Sequence, residues 1–117
     1  MTPDELRART KSFALRVVKL YRSLPRSADA EVMGKQLLRC GTSVAANYRG
    51  ACRARSRAEF AARIGIVAEE ADENGFWLEM LAEAEIVRMA LLKDLLNESK
   101  ELTAIFTSTQ QSTRKRS

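Results

Sequence analysis

Apolar residues recur at intervals of three and four along almost the whole chain, and this spacing limits what the chain can fold into. The first such stripe runs through Leu6, Phe13, Val17 and Leu24. Steps of three and four place side chains on one face of an α-helix, whereas a half-buried strand would alternate at every second residue. The spacing therefore predicts a series of amphipathic helices.

Short polar signals mark the helix boundaries. The segment from Thr2 to Glu5 combines a capping hydroxyl, a proline at the first helical position and a glutamate three residues after the cap. Ser56 and Glu59 form a second capping box, and Pro25 ends the first helix. The third helix carries no such stop signal, so its length alone places its end at about residues 84–88. The predicted helices span about residues 3–24, 28–54, 57–83 and 89–110.

The chain length and the turn-forming residues decide how these helices combine. A chain of 117 residues closes one hydrophobic core, and 5 glycines, 2 prolines and 6% aromatics leave little material for a sheet-rich fold. Short connections make consecutive helices antiparallel neighbours. We therefore predict an all-α fold, an antiparallel up-down-up-down four-helix bundle over residues 1–113 with a basic tail at 114–117. Gly41 and Gly50 each weaken the second helix by about 1 kcal/mol, which indicates close backbone packing at both positions.

The sequence contains no histidine, and this absence excludes several kinds of chemistry. Histidine is the commonest proton shuttle and metal ligand, so Ser-His-Asp catalysis and histidine-ligated zinc are ruled out. The acidic run from Glu69 to Glu73 does not suit a metal ion, because consecutive helical residues point in different directions. We predict a protein that is not an enzyme, with no catalytic residues, no metal site and no cofactor.

The two cysteines and the hydropathy of the sequence indicate where in the cell the protein is expected. Cys40 and Cys52 would lie about 18 Å apart on one helix, too far for a disulfide, and are expected to be reduced core residues. No apolar stretch approaches the roughly 18 residues of a membrane span, and the amphipathic N-terminus does not resemble a leader. These features predict a cytoplasmic protein with no membrane partner.

The net charge of +5 conceals an uneven distribution. Residues 1–57 have a balance of +9, residues 58–113 a balance of −7, and residues 114–116 add +3. In an up-down-up-down bundle, the start of the first helix, the second connection and the end of the last helix meet at one pole. We expect that pole to be positive. Besides the tail, it would collect Arg7, Arg9, Lys11, Arg49, Arg53, Arg55, Arg57 and Arg63.

The positive pole has two interpretations. Its arginines and Lys11 could bind phosphates of RNA or DNA, which would be salt-sensitive and tolerant of sequence because few aromatics lie nearby. They could instead be solvated or serve contacts between subunits, which is the commoner role of a loose run of charges. The candidate nucleic-acid-binding residues are Arg7, Lys11, Arg49, Arg53, Arg55, Arg57 and Arg63.

A polar stripe on the second helix is the other candidate feature. Arg39, Ser43 and Asn47 follow one another at steps of four on one helix face. We expect a structural network in which Ser43 and Asn47 satisfy backbone or carboxylate groups of the third helix, such as Glu70 or Glu73. A role of the same stripe in binding a ligand or nucleic acid is the alternative.

The sequence resembles a known bacterial family over nearly its whole length. The resemblance lies in residues 36–48, 53–60, 68–73, 76–79 and 101–106. Its most specific part is the spacing of Ser43, Asn47, Arg53, Ser56, Glu59 and Phe60. These residues are similar to those of the small bundle proteins encoded in intervening sequences of 23S ribosomal RNA genes. Two positions depart from the family pattern: Arg49 replaces a common glutamate, and Glu85 stands where a glycine is usual.

The resemblance implies a left-handed bundle that assembles into a homopentamer. Related accessory variability determinant proteins of diversity-generating retroelements look like basic pentameric barrels that bind nucleic acid and a reverse transcriptase. We therefore expect a homo-oligomeric accessory or scaffold protein that binds RNA or DNA through its basic pole. The alternative is a protein–protein assembly module with no nucleic-acid role.

Overall fold

Three of the four helices begin at a hydroxyl side chain that accepts a hydrogen bond from the first turn. In the computed structural model, which describes residues 1–116, Thr2 Oγ1 accepts from Glu5 N at 3.1 Å. Ser56 Oγ accepts from Glu59 N at 3.0 Å, and Ser27 caps the second helix in the same way. Each bond satisfies an N–H group that has no partner within its helix. The helices are α1 (Pro3–Ser23), α2 (Ala28–Ala51), α3 (Arg57–Glu83) and α4 (Met89–Lys115).

The helices pack as an all-α antiparallel bundle of 47 × 22 × 19 Å, which confirms the predicted fold class. Ser99 Oγ of α4 donates to Ala71 O of α3 at 2.5 Å, and Gln110 Nε2 donates to Ala61 O at 2.9 Å, so the two helices run in opposite directions. The connections at 24–27, 52–56 and 84–88 are short, with four or five residues each. Residues 1–116 contain no strand.

The apolar stripes of all four helices meet in one core. Phe13, Leu37, Leu78 and Phe106, one from each helix, are almost completely buried. The pairs α1–α2, α2–α3 and α3–α4 pack closely, whereas α1 and α4 approach each other at only a few backbone positions. The bundle therefore has one loosely closed side, between its first and last helices.

Two predicted helix ends are wrong. α2 ends at Ala51 rather than at residue 54. Beyond that end, Ala54 N bonds to Ala51 O, three residues earlier, in a tighter turn. α4 continues past residue 110 to Lys115, so residues 114 and 115 belong to this helix and do not form a separate tail. Thr109 and Thr113 donate their hydroxyls to carbonyls four residues earlier, so both side chains are satisfied within the helix.

The turn after α3 depends on one residue in the left-handed conformation. Glu85 has a φ of 60°, the one positive φ within residues 1–116. Glu85 N bonds to Ala82 O at 3.0 Å and Ile86 N bonds to Leu81 O at 3.0 Å. This pair of bonds is the Schellman motif, in which glycine is the usual left-handed residue. Half-buried Ile86 packs against the core, so the motif also closes this end of the bundle.

Replacing Glu85 with glycine is expected to raise the free energy of unfolding by about 1 kcal/mol. A side chain in the left-handed region costs about 1–2 kcal/mol, and glycine avoids part of that cost. Glu83→Gly is the matched control, because Glu83 is the last residue of α3 and has no such conformation. Chemical denaturation would measure both, and a gain at residue 83 or a loss at residue 85 would contradict the assignment.

Candidate nucleic-acid interface

A groove between α1 and α2 holds four of the seven predicted basic residues. Arg7 and Lys11 lie one helical turn apart on α1, and Arg49 and Arg53 lie one turn apart at the end of α2 and just beyond it. The groove has a volume of about 670 Å³ and is also lined by Ala8, Thr42, Ala45, Ala46 and Cys52. No carboxylate lines it.

The cations of this groove are largely uncompensated. Lys11, Arg49 and Arg53 are exposed and form no ion pair with any carboxylate within residues 1–116. Arg7 pairs with the exposed carboxylate of Asp4 in the preceding turn of α1. An exposed pair of this kind contributes little energy, so Arg7 can exchange Asp4 for another anion. The groove therefore combines concave shape with positive charge.

The other three predicted basic residues lie outside the groove. Arg57 Nη1 donates to Arg116 O, which joins the start of α3 to the end of α4. Arg63 lies beside Gly50 and approaches Glu59 at 3.9 Å. Arg55 is exposed in the second connection, where its backbone N–H donates to Glu59 Oε2 at 2.9 Å. The structure thus divides the predicted cluster into the groove residues and a second group, with Arg55 in the second connection and Arg57 and Arg63 at the start of α3.

Arg9 does not contribute to the positive pole as expected. Its guanidinium binds Glu98 of α4 with two hydrogen bonds, Nε–Oε2 at 2.7 Å and Nη2–Oε1 at 2.6 Å. Glu101 lies at 3.7 Å from the same group. The hydrogen bonds to Glu98 raise the pKa of Arg9 above its usual value. This pair links α1 to α4 across the loosely closed side. The positive charge of Arg9 is therefore neutralised by Glu98 within the bundle.

No aromatic ring is available for stacking in the groove. Tyr48 is 4% exposed and its ring lies 5.2 Å from that of Phe106 in the core. Burial, with the Cys52 thiol beside it, raises the pKa of Tyr48 to about 12. Phe60 is half-buried against the core. The groove offers cations and aliphatic surface, which suits contacts to a phosphate backbone better than reading of bases.

The prediction that both cysteines are reduced core residues holds for Cys40 and only in part for Cys52, which packs against the core but is not fully buried. Both are free thiols. Cys40 is buried, and that burial raises its pKa to about 11. Cys52 is half-buried and lines the groove.

The predicted polar network forms only in part. Arg39 of α2 binds Glu70 at 2.9 Å and also binds Glu73, so these three residues do come together. Ser43 and Asn47 do not reach α3 as predicted. Asn47 Nδ2 instead donates to Ser43 Oγ at 2.7 Å and to Ser43 O at 3.0 Å, so these two half-buried residues satisfy each other within α2.

A buried asparagine is the polar feature that sequence reasoning missed. Asn74 is fully buried, and its Nδ2 donates to Leu37 O at 3.2 Å and to Cys40 Sγ at 3.5 Å. Its Oδ1 is the one buried side-chain oxygen or nitrogen within the described residues that has no partner. The signal was present, because Asn74 falls between Ala71 and Leu78 on the apolar stripe of α3.

Residues 1–116 contain no group of three or more Cys, Asp or Glu side chains placed to hold a metal ion. No helix formed by these residues is long and apolar enough to cross a membrane.

These features define a small all-α bundle protein with a basic groove at one end. Residues 5–108 match the family of 23S rRNA-intervening sequence proteins. The chain belongs to that family, as the sequence resemblance indicated. It is also similar to a crystal structure of a protein of unknown function from the S23 ribosomal protein family of Bacteroides thetaiotaomicron VPI-5482. The two share 35% identity with a TM-score of 0.87, over 95% of this chain and 99% of that one. No curated protein matches the chain significantly.

Proposed function

We propose that the protein is a non-enzymatic accessory or scaffold protein of the cytoplasm that binds RNA or DNA through the groove between α1 and α2. The observation that carries the proposal is the absence of any carboxylate from a groove lined by Arg7, Lys11, Arg49 and Arg53. Phosphate contacts of this kind position a nucleic acid without reading its sequence. The relationship to retroelement accessory proteins that the sequence resemblance implies favours the same function.

Self-association is part of the proposal, and the sequence resemblance favours a homopentamer. The outward side of α3 supports it, because Ile66 is 43% exposed and Phe76 is 51% exposed. Exposed apolar residues on one helix are candidates for contact with another copy of the chain. Several copies of one groove in a ring would bind a single polymer with far greater avidity than one copy.

Changing Lys11, Arg49 and Arg53 together to serine is expected to weaken binding of RNA or DNA by about tenfold or more, because the groove loses three of its four cations. The dependence of affinity on salt should also become shallower, since each phosphate contact releases counterions. Fluorescence anisotropy with labelled oligonucleotides between roughly 50 and 200 mM salt would measure both quantities.

A matched control removes the same charge elsewhere. Arg16, Lys19 and Arg22 are exposed near the other end of α1, and none forms an ion pair with a carboxylate of residues 1–116. Changing these three to serine should leave most of the binding intact. If both triple variants lost the same affinity for RNA or DNA, the net charge of the protein and not the groove would account for binding. That result would overturn the proposal.

Light scattering on the same samples distinguishes the proposed function from the alternative, a protein–protein assembly module. If the groove variant loses its assembly together with its binding, the arginines serve subunit contacts and the protein is an assembly module. A mass of 13.1 kDa for the unaltered chain would contradict self-association.

A further inference from the structure

A second cluster of cations lies outside the groove, where α3 begins and α4 ends. The guanidinium of Arg57 donates to Arg116 O, and Gln110 Nε2 donates to Ala61 O at 2.9 Å. These two bonds hold the last turns of α4 against the first turns of α3. The cations that gather there, with one from the second connection, are all exposed, and we call them the end patch: Arg55, Arg57, Arg114 and Lys115.

No carboxylate compensates the end patch. None of its four cations forms an ion pair with a carboxylate within residues 1–116. Between Glu101 and the end of α4 at Lys115 no residue is acidic. Glu59, the one acidic residue in the first turn of α3, accepts from the backbone N–H of Arg55 and lies 3.9 Å from Arg63 Nε. Like charges repel one another when they gather in this way, and a bound anion would relieve that repulsion.

The end patch is joined to the groove by a short stretch of chain. Arg53, which lines the groove, and Arg57 are only four residues apart, so their Cα atoms lie at most about 14 Å from each other. Arg55 is exposed midway between them, and no residue from 53 to 57 is acidic. A polyanion that leaves the groove on this side therefore meets further uncompensated positive charge.

We propose that the end patch is a second phosphate-binding surface for the nucleic acid held in the groove, so that the preferred ligand is a strand long enough to occupy both surfaces. Once the groove holds one part of a strand, contact of another part with the end patch is intramolecular and strengthens binding. A nucleotide or a very short oligonucleotide lacks this second contact. The inference rests on the proposed function, since it assigns the size of nucleic acid that the groove binds.

Changing Arg55, Arg114 and Lys115 together to serine tests the end patch. The side chains of these residues form no hydrogen bond or ion pair within residues 1–116, and the bond from Arg57 to Arg116 O is retained. Affinity for a labelled single strand of about twenty nucleotides should fall by about fivefold or more, and its dependence on salt should become shallower by about 2 in the logarithmic slope. Fluorescence anisotropy would measure both quantities.

A short strand supplies the internal comparison. A strand of about five nucleotides has about four linking phosphates, no more than the groove has cations. Its affinity should be the same for the end-patch variant and the unaltered protein. The triple variant of Arg16, Lys19 and Arg22 removes the same charge and should retain its affinity for the long strand.

The outcomes separate this inference from the proposed function. If the end-patch variant lost no affinity for the long strand, lost equally for both lengths, or lost no more than the charge-matched control, the end patch would not be a second surface, while the groove would stand. A lower mass in light scattering would assign these cations to subunit contacts and also overturn the inference. Insensitivity of both strands to the Lys11, Arg49 and Arg53 triple variant would overturn the proposed function as well.

A second variant guards against fraying of α4 as the cause of a loss. Arg55 lies outside every helix, so Arg55→Ser leaves the last turn of α4 unaltered. This single change should lower affinity for the long strand by about twofold and leave the circular dichroism spectrum unchanged. If Arg55→Ser had no effect and the triple variant lost helical signal, the loss of affinity would come from the end of α4, and the inference would be wrong.

Discussion

Replacing Asn74 with aspartate is expected to lower the free energy of unfolding by about 3–5 kcal/mol at pH 7, because it leaves an unpaired charge in the core. Asn74 is fully buried between α2 and α3, and its Oδ1 already lacks a donor. The substitution keeps the size of the side chain but removes the amide that donates to Leu37 O. Two carboxylate oxygens would then lie in apolar surroundings without a compensating charge.

The same variant should be partly rescued by acid. Burial raises the pKa of a carboxyl group above the unfolded value of about 3.9, so the folded variant retains its proton at higher pH than the unfolded chain does. The deficit relative to the unaltered protein is therefore smallest below about pH 3.9 and grows as the pH rises through the folded pKa. Urea denaturation of both proteins at several pH values would measure this difference.

Asn97 supplies the matched control for this prediction. It is exposed on α4, and Asn97→Asp makes the same chemical change in water. Its effect should stay within about 0.5 kcal/mol at every pH. Similar small losses at residues 74 and 97 would show that position 74 is reached by solvent, which would contradict the packing described above.

Gly41→Ala is expected to destabilise the bundle by about 1–3 kcal/mol, although alanine is the better helix former. An added Cβ would lie 2.8 Å from both γ-methyl groups of Val17 and 3.0 Å from Asn74 Nδ2. Val17 is fully buried and, being β-branched, has little rotamer freedom with which to yield. Thermal and chemical denaturation would measure the loss.

Gly50→Ala, by contrast, should not lower the free energy of unfolding. Its added Cβ would meet Arg63 Nη1 at 2.9 Å, but that is the end of a flexible, partly exposed side chain that can move aside. The free energy of unfolding should stay unchanged or rise by up to about 1 kcal/mol. If both glycine variants changed stability in the same direction, helix propensity rather than packing would govern these positions.

Gly41 and Gly50 cannot be told apart from the sequence alone. Both interrupt an apolar helical pattern, so the pattern predicted close packing at both. In the structure only Gly41 touches another helix through buried atoms, because α1 crosses α2 there. Glu85 is a similar case, since nothing in the residues alone assigns it a positive φ. Such features depend on how separate helices and turns meet.

The candidate site was likewise predicted from the sequence only in part. The sequence predicted that basic residues would gather near one pole, and Arg7, Lys11, Arg49 and Arg53 do line one groove. It did not predict that Arg9 would be neutralised by Glu98, which lies 89 residues further along the chain. Ion pairing between distant residues depends on the register in which helices pack, and the local spacing of residues does not specify that register.

By itself the sequence determined the helices, the all-α class and the separation of charge along the chain, because spacing, capping and composition act over a few residues. Only the tertiary structure decided which cations remain unpaired, where a groove opens and which polar atom is buried without a partner. Those properties arise from contacts between helices, and such contacts join residues that are far apart in the chain.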